Sequence, residues 1–336
     1  MFVAAYLHRL NPFALRLWGD VGIRWYGLSY VAGFICAYYI LLALARRGRI
    51  LVKPEAVGDF IVALAVGTIV GGRLGYAVFY QPALLWDFSA HFPFWGLLAM
   101  WKGGMASHGG IIGLTLACIG FARSRNVTPF HLFDLIGLTG TVGIFFGRIA
   151  NFVNGELFGR ECRPDLPWAV KFPQEMRDWA GEKVEQLRAA VGATAEHSDS
   201  PQELVEQTLA MIQRGNRAVI DAVAPLLPTR HPSQLYEALL EGLFLFTVLW
   251  LIWYKPRKPG VVGGWFLVLY PLVRIFGEQF RMPDVGLGFR ALGLTRGQWL
   301  SIIMLAIGVT CLTWWSLRQS PRIGGWGRAS GDMVKS

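Results

Sequence analysis

Charged residues are scarce in this chain of 336 residues: Asp, Glu, Lys and Arg together account for 16% of it, against about a quarter in ordinary soluble domains. Hydrophobic residues account for 54%. A chain with so little polar surface cannot cover itself in water, which excludes an ordinary soluble fold. The composition therefore predicts a protein embedded in lipid.

Cysteine is also rare. Cys36, Cys118 and Cys311 lie inside apolar runs, Cys162 lies in a polar stretch, and no CxxC pair occurs. We therefore expect no disulfide and no metal site, and nothing in the sequence indicates a cofactor.

GxSxG and HExxH motifs are absent too, which argues against an intramembrane hydrolase.

The N-terminal segment has no small-residue cleavage site before the first long apolar run, and Arg9, Arg16 and Asp20 interrupt it. A secretory signal peptide needs such a site behind a continuous apolar core. We expect no cleaved signal peptide.

Seven apolar runs approach the roughly 20 helical residues that a bilayer core of about 30 Å requires. In the third run only Gly109 to Ala122 is unbroken, and the segment before it, FPFWGLLAMWKGG, is typical of an aromatic interfacial or re-entrant piece. We predict an all-α polytopic membrane protein with seven transmembrane helices at 22–45, 59–80, 107–122, 131–153, 233–254, 261–280 and 298–317.

Basic residues are divided unevenly between the loops. Short cytoplasmic loops collect Lys and Arg in membrane proteins, so the richer side is predicted to be cytoplasmic. The N-terminus then lies outside, the C-terminus inside, and the net charge of +10 favours anionic lipid over nucleic acid as a partner. The long segment 154–231 is left out of the count, because long loops do not obey the rule. The richer side has Arg46, Arg47, Arg49, Lys53, Arg123, Arg125, Lys255, Arg257, Lys258, Arg318, Arg322, Arg328 and Lys335; the poorer side has Arg9, Arg16, Lys102, Arg290 and Arg296.

A polar segment separates the fourth and fifth predicted spans and is expected to form a small extracytoplasmic helical head. Ser200, Pro201 and Glu203 fit a capping box with proline in the first turn, which predicts a helix over 201–224. The expected organisation is spans 1 to 4 in 1–153, the head in 154–231, spans 5 to 7 in 232–317 and a basic cytoplasmic tail in 318–336.

Charged side chains within the predicted spans cost several kcal/mol at bilayer depth, so each one requires a reason. In the sixth span Tyr270, Arg274, Glu278 and Arg281 follow at intervals of 4, 4 and 3 and share one helix face. The pair Arg274 and Glu278 could be a structural ion pair. We favour a phosphate site, because an arginine fork suits a phosphodiester and a carboxylate can hold that fork in place. The other such residues are Arg73, His108, Asp134, Arg148, Glu156, Glu237 and Glu241.

The fourth span ends in GRIANFVNGELFGR, where Arg148 and Asn151 are three residues apart. Asn151 and Asn154 could satisfy the backbone at the helix end, or they could bind an ester or phosphate oxygen. Close helix packing is the simplest role for the glycines upstream, Gly140, Gly143 and Gly147.

Three further features lie at the same predicted outer level. His108, in the loop GGMASHGG, is either a structural histidine or a general base for a thiol. Tyr26 follows Arg24 and Trp25 at the start of the first span, where an aromatic belt is the simplest explanation. In HPSQLYE, at 231–237, Ser233 is predicted to cap the fifth span.

These segments, taken together with YPLVRIFGEQFRMPD at 270–284, resemble the prolipoprotein diacylglyceryl transferase family. The four motifs occur in the family's order, and the resemblance covers about residues 20–317, with the head as the poorest match. Ala150 stands where the family often has glycine.

The resemblance implies an activity in the bacterial inner membrane. Phosphatidylglycerol would donate its diacylglyceryl group to the lipobox cysteine of a prolipoprotein, forming a thioether and releasing glycerol phosphate, as the first step of lipoprotein maturation. The residues that match important family positions are His108, Arg148, Arg274 and Tyr26 for catalysis, and Asn151, Glu156, Gly159, Tyr270, Glu278 and Arg281 for substrate binding.

A thiol with a pKa near about 8.5 is mostly protonated at neutral pH, so its attack on carbon needs a base or a positive field. On this interpretation Arg148 and Arg274 stabilise the departing phosphate, with Glu278 orienting Arg274. His108 is the candidate base, although Tyr26 and the arginines could lower the thiol pKa instead. An anionic solute or lipid transporter is the alternative, since buried arginines also mark transport pathways.

Overall fold

A computed structural model of the chain describes residues 5–18, 21–99, 103–192, 198, 200–283 and 293–327. Within these residues the structure is mostly helical. Three short strands precede the first long helix, and a fourth lies between α4 and α5. The elements are β1 (Tyr6–Leu7), β2 (Phe13–Trp18), β3 (Val21–Arg24), α1 (Trp25–Arg46), α2 (Val57–Phe79), α3 (Ser107–Ser124), α4 (Pro129–Asn154), β4 (Val170–Lys171), α5 (Glu182–Val191), α6 (Pro201–Gln213), α7 (Arg217–Val223), α8 (Ser233–Glu237), a π-helical segment (Ala238–Phe244), α9 (Leu245–Ile252), α10 (Val261–Gly277) and α11 (Arg296–Leu317).

Five helical segments are long and apolar enough to cross a membrane: Trp25–Arg46, Pro54–Phe79, Pro129–Asn154, Ser233–Ile252 and Arg296–Leu317. The chain is therefore a multi-pass membrane protein, as its composition predicted. The other two predicted spans coincide with α3, of 18 residues, and α10, of 17 residues. Both fall short of the roughly 20 residues that span a bilayer core without adjustment. The total of seven spans stays a prediction.

The chain divides into two compact units. The first unit comprises Met1–Gly33, Thr141–Leu245 and Leu269–Ala306, and the second comprises Phe34–Gly140, Phe246–Val268 and Ile307–Ser336. Of the predicted basic tail, 328–336 lies outside the described residues, as do Lys102, Arg290 and Asp284.

In the first unit, α5, α6 and α7 enclose a hydrophobic core of their own, which includes Leu187, Leu204 and Ile212. Polar faces and short helices around one apolar centre are typical of a small water-facing subdomain. The side chain of Ser200 accepts a hydrogen bond of 3.2 Å from the backbone N–H of Glu203, which confirms the predicted cap.

The prediction of one continuous helix over 201–224 is wrong in its middle. α6 ends at Gln213 and α7 begins at Arg217. Gly215 takes a φ of +80°, in the left-handed region that ends helices. The side chain of Asn216 then accepts a hydrogen bond of 3.3 Å from the N–H of Val219 and starts the next helix.

His8 is a buried histidine of the same unit. Its ring lies 5.4 Å from the rings of both Phe152 and Phe172, measured between centroids, and its Nδ1 is 3.1 Å from Nε2 of Gln174. Burial disfavours the charged imidazolium and lowers the pKa of His8 to about 4. The folded protein therefore holds this ring neutral at neutral pH.

We expect His8 to make the first unit less stable in acid. Below about pH 6.5 the unfolded chain binds a proton here that the folded chain does not, so this contribution to stability is lost as the pH falls towards 4, by about 2 kcal/mol at pH 5. His8→Phe keeps an aromatic ring and removes the titration. Thermal unfolding in detergent at about pH 7 and pH 5 should show a smaller acid-induced decrease in Tm for His8→Phe than for the wild type; equal decreases contradict the assignment.

In the second unit, α2 and α3 pack through facing glycines. A Cβ added to Gly75 would lie 2.6 Å from the Cα of Gly109, and one added to Gly113 would lie 2.8 Å from the Cα of Gly71. Only glycine allows backbones to approach this closely, as in other small-residue seams of membrane helices. The seam fixes the first two turns of α3 on the second half of α2.

Helix α10 begins in the second unit with its first N–H groups satisfied by a side chain. The carboxylate of Asp134 accepts hydrogen bonds of 2.8 Å from the N–H groups of Gly260 and Gly263. Four N–H groups at the start of a helix have no partner within the helix, and an acidic side chain there also interacts favourably with the helix dipole. This buried Asp134 has a structural role.

Candidate active site

Three helical segments of the first unit bring charged side chains together. Arg148 lies on α4, Glu237 ends α8, Glu241 lies in the π-helical segment and Arg274 lies on α10. Gly242 permits the close approach of the π-helical segment to α4, because a Cβ there would lie 2.6 Å from the Cβ of Phe145. Phe145 precedes Arg148 by less than one turn, so this contact places Arg148 beside the two glutamates.

We call the resulting group the arginine–glutamate cluster. It consists of three guanidinium groups and three carboxylates, each almost completely enclosed: Arg148, Arg274, Arg281, Glu237, Glu241 and Glu278. The glutamate side chains are at most 5% exposed and the arginine side chains at most 15%.

Arg274 binds all three carboxylates. Its Nη1 donates to Oε1 of Glu237 at 2.7 Å and to Oε1 of Glu241 at 3.0 Å. Its Nη2 donates to Oε1 of Glu278 at 2.6 Å. The ion pair of Arg274 with Glu278, one of two interpretations of the helix-face spacing, is therefore present, but it is one of three contacts.

Arg148 faces the same two glutamates from α4. Its Nε and Nη2 donate to Oε2 of Glu241 at 3.1 and 2.9 Å, and its Nη1 lies 3.0 Å from Oε2 of Glu237. The two arginines thus bind opposite carboxylate oxygens of Glu241. The hydroxyl of Tyr270 lies 3.5 Å from Oε2 of the same carboxylate. All three guanidinium nitrogens of Arg148 contact carboxylates, so both arginines are held by glutamates.

The far side of Glu278 is also held. Its Oε2 accepts a hydrogen bond of 3.0 Å from the hydroxyl of Thr295, and a Cβ on Gly297 would lie 2.7 Å from Oε1. Nη1 of Arg281 completes the cluster at 3.8 Å from Glu278 and 3.9 Å from Glu237. The carboxylate that orients Arg274 is therefore itself fixed from two directions.

The charges of the cluster balance when every member is ionised. Removing charges from water is costly, and attraction within a poorly hydrated interior offsets that cost only when the geometry and the remaining hydrogen bonds are good. Here each carboxylate contacts at least two arginines, so the loss of any one arginine leaves carboxylates without full compensation. The cluster behaves as a single polar network.

A second polar group lies one turn further along α4. Nδ2 of Asn151 donates to Oε1 of Glu156 at 2.7 Å, and Nδ2 of Asn154 lies 3.4 Å from the same oxygen. Glu156 is exposed while Asn151 is buried. Asn151 thus holds an exposed carboxylate, and its amide is satisfied by that side chain.

Gly159 and its neighbours form a backbone ladder beside the cluster. The N–H of Gly159 donates to the carbonyl of His231 at 3.0 Å, and Gly159 forms a β-bridge with Arg281. A Cβ at this position would lie 2.8 Å from the carbonyl oxygen of Phe280. The position is therefore restricted to glycine by backbone on two sides.

Tyr26 belongs to the first unit and His108 to the second. Tyr26 is the second residue of α1, half-buried, with its ring 5.3 Å from that of Tyr30. His108 is the second residue of α3, in the second unit, and is exposed.

Two local predictions are corrected here. Ser233 does not cap the fifth span: it is the first residue of α8, and its hydroxyl donates to the carbonyl of Leu157 at 3.0 Å. A Cβ on any of the three glycines upstream of Arg148 would meet nothing within 4 Å, and only Gly143 takes part in a close contact, since a Cβ on Gly33 of α1 would lie 3.0 Å from its Cα.

A family comparison shows what this architecture is. A model of the prolipoprotein diacylglyceryl transferase family matches residues 12–314, which include every residue of the cluster. The chain belongs to the prolipoprotein diacylglyceryl transferase family.

Individual relatives share the full extent of the chain. The phosphatidylglycerol–prolipoprotein diacylglyceryl transferase of Bdellovibrio bacteriovorus is 47% identical, over 98% of this chain and 99% of that protein. Proteins of the same name from Rhodospirillum rubrum and Rhodospirillum centenum are 40% and 39% identical, over 89% and 93% of this chain and 90% and 92% of their own lengths. This member of the prolipoprotein diacylglyceryl transferase family is similar to each of them over at least 89% of its length.

Three members of the site received no role from the sequence: Glu237, Glu241 and Thr295. A signal for the glutamates was available, because they are four residues apart within a predicted span and so share a helix face. Two buried carboxylates on one face call for cations on a neighbouring helix. Thr295 carried no such signal, since only folding brings it to Glu278.

Proposed function

We propose that this member of the prolipoprotein diacylglyceryl transferase family transfers the diacylglyceryl group of phosphatidylglycerol to the lipobox cysteine of prolipoproteins. The observation that carries the proposal is the buried arginine–glutamate cluster, within a chain 47% identical to a relative of that name. Its substrates are a lipid with an anionic phosphodiester headgroup and a secreted protein with a cysteine at the membrane surface, and the reaction is the first step of lipoprotein maturation.

In the reaction the cysteine sulfur bonds to the glycerol carbon that carries the phosphate. The carbon–oxygen bond to the phosphate breaks, so a thioether forms and glycerol phosphate leaves. The thiol proton passes to a base and the bonding electrons pass to the leaving oxygen. Catalysis therefore requires stabilisation of a growing negative charge on phosphate and removal of one proton.

Arg148 and Arg274 are the residues that we assign to the phosphate. Their guanidinium planes are already fixed by Glu237 and Glu241, and such preorganised cations stabilise transition-state charge without reorganising when the reaction occurs. When a phosphodiester binds, its oxygens accept some of the guanidinium hydrogen bonds that otherwise go to the glutamates. Glu278, itself fixed by Thr295, keeps Arg274 in place during this exchange.

The other site residues are assigned to substrate binding or to catalysis. Asn151, Glu156 and Gly159 at the end of α4, and Tyr270, Glu278 and Arg281 at the end of α10, are proposed to bind the substrates. Tyr26 and His108 are proposed to act in catalysis, with His108 as the base that accepts the thiol proton, since a ring nitrogen of a neutral imidazole can accept a proton. No metal or cofactor takes part in this scheme.

We also propose the membrane topology that the distribution of basic residues predicts. The chain crosses the bacterial inner membrane seven times, with its N-terminus outside and its C-terminus in the cytoplasm. Residues 154–231 then form an extracytoplasmic head, between spans in 1–153 and 232–317, and 318–336 form the cytoplasmic tail. Support comes from the helices that coincide with all seven predicted runs.

The test is an assay with purified protein in detergent micelles, phosphatidylglycerol and a synthetic lipobox peptide. The peptide should gain the mass of a diacylglyceryl group, and one glycerol phosphate should be released for each modified peptide. Arg148→Ala should lose both signals while remaining folded. Because a micelle has no closed compartment, a transporter produces neither signal, and lipid breakdown without peptide modification identifies a hydrolase.

A further inference from the structure

Arg73 is a buried cation of the second unit that the proposed reaction does not use. It lies on α2 and is 5% exposed. An arginine has five N–H donors, and those of Arg73 all go to backbone carbonyls rather than to a carboxylate. Nε donates to Leu97 at 2.7 Å, Nη1 to Gly103 at 2.5 Å and Gly104 at 2.9 Å, and Nη2 to Gly96 at 2.9 Å and Ala99 at 3.2 Å.

The five carbonyls belong to the described residues 96–99 and 103–104, which precede α3 in the chain. Gly103 and Gly104 have φ angles of +79° and +83°, in the left-handed region that favours glycine. A Cβ on Gly104 would lie 2.9 Å from Nη1 of Arg73 and 2.5 Å from the ring of Tyr76. The two glycines therefore let the backbone wrap around the guanidinium.

The residues that follow are tied to α2 as well. The N–H of Ala106 donates to the carbonyl of Gly72 at 2.9 Å, and a Cβ on Gly109 would lie 2.8 Å from the Cα of Gly75. His108 lies between these two contacts. Its side chain is exposed, while its backbone is anchored on both sides by α2.

We propose that Arg73 is a positioning residue for His108. Its guanidinium holds the carbonyls of residues 96–99 and of 103–104, and so sets where α3 begins and where the imidazole is placed. Only arginine supplies five donors in a planar fork; lysine has three donors on a single atom and glutamine has two. The inference rests on the proposed function, because it gives His108 a place in that reaction.

The test compares Arg73→Gln, Arg73→Lys, His108→Gln and the double variant Arg73→Gln/His108→Gln in the peptide assay. Arg73→Gln should lower kcat by about 10- to 100-fold, because a displacement of about 1 Å costs that much, and should change KM for phosphatidylglycerol by less than about threefold. Arg73→Lys should lower kcat by a smaller factor than Arg73→Gln. On the His108→Gln background, Arg73→Gln should add less than about a threefold loss, because the two residues act through one group.

Arg125→Gln is the matched control. Arg125 follows α3 and forms an ion pair with Asp59 at the start of α2, so it joins the same two helices at their other ends through exposed side chains. It should keep nearly wild-type kcat. A wild-type kcat in Arg73→Gln, or the same fold-loss with and without His108, overturns the inference.

Hydrogen exchange supplies a readout that does not depend on activity. In Arg73→Gln, peptides from 96–110 should exchange faster than in the wild type, while peptides from α11 should not change. Unchanged exchange in 96–110 overturns the inference, and Arg73→Lys provides the same comparison if the glutamine variant does not fold. A wild-type chain that transfers nothing refutes the proposed function instead, and the exchange result still decides whether Arg73 holds the segment.

Discussion

Arg274→Ala is expected to lower kcat for diacylglyceryl transfer by about 100-fold or more, the loss typical when one preorganised charge stabiliser is removed. Arg274 contacts Glu237, Glu241 and Glu278 at 2.6 to 3.0 Å. Its removal takes away one of the two cations assigned to the phosphate and leaves the cluster with an excess negative charge. That excess repels an anionic headgroup, so KM for phosphatidylglycerol should rise as well.

The same variant could lose activity by unfolding, because an uncompensated buried carboxylate is destabilising. Arg274→Met/Glu241→Gln separates the two causes, since it removes one positive and one negative charge together. Its Tm should recover towards that of the wild type while its activity stays low. Recovery of activity together with Tm would show that Arg274 acts only through stability. Arg163→Ala, which breaks the exposed pair with Asp165, is the matched control and should transfer normally.

The helices could be predicted well because a long apolar run in the sequence marks each of them. Each predicted run contains a helix whose ends differ from the prediction by a few residues. The break between α6 and α7 could not be predicted in the same way. In a polar segment no lipid imposes a length, and Gly215 and Asn216 decide where the chain turns.

The site could be predicted in part, and the limit is physical. Spacing places Tyr270, Arg274 and Glu278 on one helix face, and that face is the one that enters the cluster. Spacing within one helix does not say which other helix faces it. The carboxylates of Glu237 and Glu241 come from another segment. Only the packing of the helices shows that the charges balance and that the arginine donors already bind carboxylates.

Arg73 shows a second limit, because a buried charge in the sequence does not reveal which group binds it. A cation at bilayer depth predicts a partner, and a carboxylate or a phosphate is the usual one. Here the partners are backbone carbonyls, and no residue type in the sequence marks them. A buried charge therefore indicates reliably that a binding partner exists. It does not indicate whether that partner is a carboxylate, a phosphate or a backbone carbonyl.

Arg230→Met is expected to destabilise the polar segment 154–231 by about 3 to 5 kcal/mol, the usual cost of breaking a buried ion pair by removing one partner. Arg230 and Glu175 are buried and joined by two hydrogen bonds, of 2.6 and 2.8 Å. Nη1 of Arg230 also donates to the carbonyl of Gly159 at 3.2 Å, so the pair supports the backbone ladder beside the cluster. Native-state hydrogen exchange of peptides from 170–230 measures the loss directly.

Two comparisons decide whether the buried pair is responsible. Arg177→Gln breaks an ion pair with Glu206 in the same segment, but the side chains there are 53% and 57% exposed, so a change below about 1 kcal/mol is expected. Arg230→Met/Glu175→Leu removes both charges and should recover much of the loss, because an apolar pair leaves no carboxylate buried alone. Equal destabilisation by the single and double variants would place the stabilisation in the other contacts of Arg230 instead, since both variants lose them. These contacts are the carbonyl of Gly159 at 3.2 Å, the carboxylate of Glu161 at 3.8 Å and the ring of Phe158 at 5.0 Å.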